Sequence, residues 1–136
     1  MVTIIAVNKA EDARVEVRSL PPEVHAWVGD AVFELYVRTM LAAGTEAAPR
    51  VLHDRAVARV RAEAQAAALE RLWPALAGEE LVVVKRARNV HGLGSHRGDP
   101  AVVHMSTAFE ALLGYLYLSG QWSRLTELLR LAWEST

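Results

Sequence analysis

An all-α fold is what this sequence predicts, and three observations carry the prediction. Apolar residues recur at helical spacing through two long runs, 27–38 and 106–118. The stretch 49–73 is rich in Ala, Leu, Arg and Glu, residues that favour a helix interior. Strand-like β-branched content is short, in 2–7 and 15–17, which could be short strands or a tail packed on the surface. With 136 residues the chain is sized for one domain with a substantial core. An N-terminal segment, 1–20, precedes a helical domain over 21–136.

Taken in order, Leu20-Pro21-Pro22 is a boundary, and Pro22 suits the first turn of a helix. That helix should run to about Leu41 or Ala42 and end at Gly44. Glu23 belongs at its exposed start, where the helix dipole favours an acid. The stretch 49–73 divides into two helices near Val60 to Ala62, although no proline or glycine marks the break. Its apolar side is Val51, Leu52, Ala56, Val60, Ala64, Ala67, Ala68 and Leu72. Pro74 ends the unit. Residues 79–89 form a helix that is acidic at its start and basic at its end, which complements the helix dipole. A glycine-rich loop follows over 89–100. Helix resumes by about Ala101 and continues to Leu118, where Ser119-Gly120 breaks it. A last amphipathic helix, 121–133, turns Leu125, Leu128, Leu129 and Trp133 inward.

Composition narrows the function. There is no cysteine, so neither a disulfide framework nor a thiolate zinc site is available. The histidines His91, His96 and His104 fit no zinc-ligand spacing. Charge is balanced, with 15 Lys+Arg against 16 Asp+Glu. Any nucleic-acid contact must therefore come from local clustering. From Lys85 to Arg97 the chain carries Lys85, Arg86, Arg88 and Arg97 and no acid. This is the best candidate for contact with phosphates. Arg50, Arg55, Arg59 and Arg61 are offset by Asp54 and Glu63 and read as a solvated face. No stretch approaches the length of a transmembrane span. The apolar start, 1–7, lacks a basic n-region, so a cytoplasmic location is expected.

The chemistry lies in the two apolar runs. In the first, Asp30, Glu34 and Arg38 fall at i, i+4 and i+8, on one helix face. An acid in so apolar a helix must be paired, hydrogen-bonded or bound to a metal. Pairing of both acids with Arg38 is one solution. In the second run Thr107, Glu110, Gly114 and Tyr117 share a face, and Glu110 is the only charge. Gly114 lets another backbone approach closely. If the two helices cross with their acids facing, one carboxyl pKa rises unless a cation sits between them. Mg²⁺ suits a site with few carboxylates and several waters. Trp27, Phe33, Tyr36, Phe109, Tyr115 and Tyr117 sit at the spacing of a core or a subunit interface rather than of base-stacking platforms.

These residues carry a family resemblance. Val28-Gly29-Asp30-Ala31-Val32 resembles the signature of ribonuclease III, and Phe109-Glu110-Ala111-Leu112-Leu113-Gly114 resembles its second motif. With Val84-Lys85-Arg86-Ala87-Arg88-Asn89 between them, the pattern is most similar to the Mini-III subfamily, from about Pro22 to Arg130. The resemblance implies an all-α, homodimeric endoribonuclease. It would hydrolyse double-stranded RNA with Mg²⁺, in maturation of the 23S ribosomal RNA precursor, and is compatible with a ribosomal protein as a further partner. It assigns Asp30 and Glu110 as catalytic, metal-binding acids, with Glu34 and Thr107 as supporting positions behind them. Lys85, Arg86, Arg88, Asn89 and Arg97 would grip RNA. The parent family carries a glutamate where Ala26 stands and an aspartate where Thr107 stands; both departures agree with Mini-III. Asp54, Glu63 and Glu70 are candidates for a further acid. The alternative is a non-catalytic RNA-binding or ribosome-associated protein with the same fold, and retention of both Asp30 and Glu110 argues against it.

Overall fold

The computed structural model describes residues 14–90 and 98–134, and every regular element among them is helical. The helices are α1 (Arg14–Ser19), α2 (Pro22–Gly44), α3 (Pro49–Val60), α4 (Ala62–Leu72), α5 (Glu79–Arg88), α6 (Pro100–Leu118) and α7 (Trp122–Glu134). A short 3-10 turn, Trp73–Ala75, follows α4. The segment 15–17, read from sequence as a strand or an irregular tail, is instead part of α1; residues 2–7 lie outside the described residues.

Helix α6 is the axis of the fold. It packs against α1, α2, α4, α5 and α7. Phe109, Leu112, Leu113 and Leu116 on it are fully buried, which explains a sequence apolar all round. By length and composition α6 would pass as a membrane span, against the expectation that no stretch comes near one. Its place at the centre of the core accounts for that character. Asp99 caps its start, its Oδ1 accepting from the Ala101 N–H at 2.9 Å, with Pro100 in the first turn. At its end Gly120 adopts φ 72°, and the Gln121 N–H reaches back to the Leu116 carbonyl at 2.9 Å. That closure needs a left-handed residue, which glycine supplies without strain.

Helices α2 and α6 cross backbone to backbone. A Cβ built on Gly29 would lie 1.6 Å from the Glu110 carbonyl oxygen, and one on Gly114 would lie 1.8 Å from that of His25. Two glycines, one on each helix, thus set the separation of the pair. Phe33 and Phe109 meet edge to face beyond the crossing, with centroids 4.9 Å apart. His25 is buried and its Nε2 donates to the Val17 carbonyl at 2.6 Å, which fastens α1 to α2.

The break between α3 and α4 falls on Arg61, whose backbone is extended (φ −63°, ψ 156°). It redirects the chain so that α3 packs on α2 while α4 packs on α6. Val51, placed on the apolar side from sequence, is exposed; Ala56 is the buried residue of α3. At the other end of the molecule Glu80 on α5 is buried and pairs with Arg124 of α7 (Nε to Oε2, 2.7 Å). The same guanidinium donates to the Ala75 carbonyl, so it staples three segments. Burial alone would raise the Glu80 pKa. The hydrogen bonds from Arg124 and the Ala77 amide outweigh it and hold the carboxyl below its ordinary range.

Candidate active site

The crossing that Gly29 and Gly114 permit brings Asp30 and Glu110 together. Each acid is adjacent to a glycine contact: Asp30 follows Gly29, and the Glu110 carbonyl lies against Gly29. Asp30 is exposed, while Glu110 is half-buried. Burial, together with the neighbouring Asp30 carboxyl, pushes the Glu110 pKa up to about 8, with the Gln65 side chain acting in the opposite direction. No basic group contributes to that shift. Partial burial and the nearby Asp30 carboxyl both disfavour ionisation of Glu110.

Glu34 takes a different path. It accepts from Arg38 Nη2 at 2.9 Å and from Nε at 3.1 Å, so the helix-face ion pair involves Glu34 and not Asp30. Thr107 lies one turn before Glu110 on α6 and is half-buried. Asp54, Glu63 and Glu70 are exposed, and no cluster of three His, Asp or Glu side chains occurs among the described residues. None of those three acids therefore joins the pair. The group that does reach the site is Gln65 of α4, which sequence reading missed. A lone amide in an alanine-rich helix gives no periodic signal, and only the packing of α4 on α6 reveals its direction.

The basic residues divide by environment. Lys85 is exposed. Arg86 donates to the Arg18 carbonyl at 3.1 Å, and the Arg88 guanidinium lies 5.4 Å from the Trp73 ring centre. Asn89 terminates α5, its N–H bonding the Lys85 and Ala87 carbonyls. Arg97, with His91 and His96, lies outside the described residues.

A family model described as the ribonuclease III domain matches residues 23–121. The chain belongs to the ribonuclease III family. Among its relatives, a Mini-ribonuclease 3 of Symbiobacterium thermophilum is 47% identical over 115 residues, 84% of this chain and 88% of the relative. A Mini-ribonuclease 3 of Thermoanaerobacter is 41% identical over 117 residues, 85% of this chain and 82% of the relative. A crystal structure of a protein from Fusobacterium nucleatum shares the fold, with a TM-score of 0.79 at 22% identity, over 88% of this chain and 97% of the other. This ribonuclease III domain is thus of the Mini-III kind, an endoribonuclease acting on double-stranded RNA. The departure at Ala26 is accommodated sterically: Ala26 is buried beside the helix crossing, one turn before Asp30.

A divalent metal fits the residues present. Two carboxyls converge, and burial with the neighbouring Asp30 raises the Glu110 pKa with no basic side chain contributing to the shift. Asp30 and Glu110 would hold the ion and leave its remaining positions to water, which is how Mg²⁺ is commonly held.

Proposed function

We propose that Asp30 and Glu110 are the catalytic acids of a Mg²⁺-dependent hydrolysis of phosphodiesters in a structured precursor of 23S ribosomal RNA. The observation that carries this reading is the facing of two lone carboxyls at the α2–α6 crossing, with Glu110 shifted to about 8 by burial and by Asp30. When bound, Mg²⁺ would activate a water and stabilise charge developing on the phosphate and leaving oxygen. Asp30, the exposed member, offers its carboxylate at the surface where RNA arrives. Glu110, the half-buried member, would hold the metal from the inner side of the site. Lys85, with Arg97, Asn89 and the neighbouring Arg86 and Arg88, binds backbone phosphates.

The working unit we propose is a homodimer in the cytoplasm, with a ribosomal protein as accessory partner. Trp27 is 78% exposed on α2, next to exposed Leu35, and a groove of about 380 Å³ runs between Trp27, Val28, Asp30, Leu35 and Tyr117. An apolar surface of this kind beside a polar site supports self-association. Single-turnover cleavage of double-stranded RNA across a Mg²⁺ titration tests the reading. Cleavage that persists at the wild-type rate in Asp30→Asn removes it.

A further inference from the structure

The Gln65 side chain is 3% exposed, which is unusual for an amide in a helix of alanines and leucines. A buried amide costs free energy unless its polar atoms are matched. One group that its amide meets is the Glu110 carboxyl. The two come from different helices, α4 and α6, which pack along their length. Neighbours of Gln65 on the buried face of α4 are Ala66, Ala68, Leu69 and Leu72, which offer no polar alternative.

We propose that Gln65 is a positioning residue of the metal site: its amide NH₂ donates to Glu110 and fixes that carboxylate toward Asp30. The inference rests on the reading of Asp30 and Glu110 as the metal-binding pair. A carboxylate on a helix otherwise has free rotation about its last torsion. A donor from α4 selects one orientation and leaves the other carboxylate oxygen for the cation. Where the parent family uses carboxylates in place of Ala26 and Thr107, this chain orders two acids with a neutral third group. A neutral donor adds no repulsion to the two acids. It also ties α4 to the site, so the site spans three helices.

The test uses the full-length protein without RNA, with Mn²⁺ as probe, titrated by calorimetry. Gln65→Met keeps the volume and removes the donor. The expected result is a loss of Mn²⁺ affinity of roughly 10- to 100-fold, the usual cost of removing a group that orients a ligand. Metal-free melting temperature should be unchanged or raised, and binding of double-stranded RNA in metal-free buffer unchanged. In cleavage, the Mg²⁺ concentration for half-maximal rate should rise by the same factor, while the rate at saturating Mg²⁺ recovers most of its value. Gln65→Leu should reproduce the pattern. Mn²⁺ affinity within twofold of wild type overturns the inference. So does a loss of affinity accompanied by a matching fall in melting temperature in both variants, which would mark Gln65 as packing alone. If the wild-type protein itself neither binds Mn²⁺ nor cleaves RNA, the metal-site reading falls, and this inference with it.

Discussion

Asp30 and Glu110 differ in environment, and the difference makes predictions at the scale of single residues. Asp30→Asn and Glu110→Gln should each abolish most cleavage while RNA binding survives, as read in single-turnover assays. Glu34→Gln, whose partner is Arg38, should have the smaller effect, because that carboxylate is already engaged. The Glu110 carboxyl is raised from about 4.5 to about 8 in the folded protein. Between those values the folded state holds more protons than the unfolded state, so metal-free stability should fall as pH rises through the window. The acid counterpart is His25, whose pKa burial lowers from 6.5, an effect that the Val17 hydrogen bond opposes. It costs stability below that pH, so the comparison is cleanest between pH 7 and 8.5. There the wild-type melting temperature should decline and that of Glu110→Gln should not. Mg²⁺ must compete with the Glu110 proton, so its affinity should climb with pH toward about 8. For RNA contact, Lys85→Ala should reduce the slope of log affinity against log salt by about one unit. Arg86→Ala should change it less, because Arg86 is held by the Arg18 carbonyl.

Helices behave here as rigid rods whose spacing is set by what lies between them. Gly29→Ala or Gly114→Ala would place a Cβ within 1.8 Å of a carbonyl oxygen on the facing helix. No rotamer relieves a backbone clash, so α2 and α6 must separate. The expected cost is at least about 3 kcal/mol by denaturant unfolding, the upper range for overpacking. Cleavage should also be lost from any folded fraction, because the same separation parts Asp30 from Glu110. At the far end, Arg124→Met leaves Glu80 buried without its partner. That change should cost about 2 kcal/mol, since Arg124 keeps some contact with water and the pair is not fully desolvated. It should leave the Mg²⁺ dependence of cleavage unchanged, because α7 does not contribute to the acid pair.

At the scale of the molecule, the described residues bury α6 in the core and leave Trp27 and Leu35 of α2 bare. Trp27 and Leu35 on that face should be buried between two copies. Light scattering should give twice 14.9 kDa at micromolar concentration. Trp27→Glu should give the single mass with the helical content intact. A wild-type protein that is monomeric under those conditions would count against the dimer. Because Asp30 lines the same groove, the monomeric variant should also cleave more slowly while its metal-free stability is little changed.

Helical periodicity and composition were enough to place α2 to α7, with Asp30 on α2 and Glu110 on α6, while α1 was not legible. Gly44, Ser119-Gly120 and the proline boundaries marked ends, because those residues act locally through backbone conformation. The division of 49–73 near Arg61 was also legible, from its length and composition. Tertiary structure alone decided the rest. Whether Asp30 pairs with Arg38 or faces Glu110 depends on where α6 crosses α2, and a one-dimensional pattern does not encode that. The crossing is determined by two glycines more than eighty residues apart meeting back to back. The role of Gln65 is invisible for the same reason: a single amide has no periodicity, and its direction exists only once α4 is laid on α6. The bareness of Trp27 is likewise a property of the packed surface. Sequence specifies what each helix wants to bury, and the packing of helices on one another decides which of those faces are satisfied.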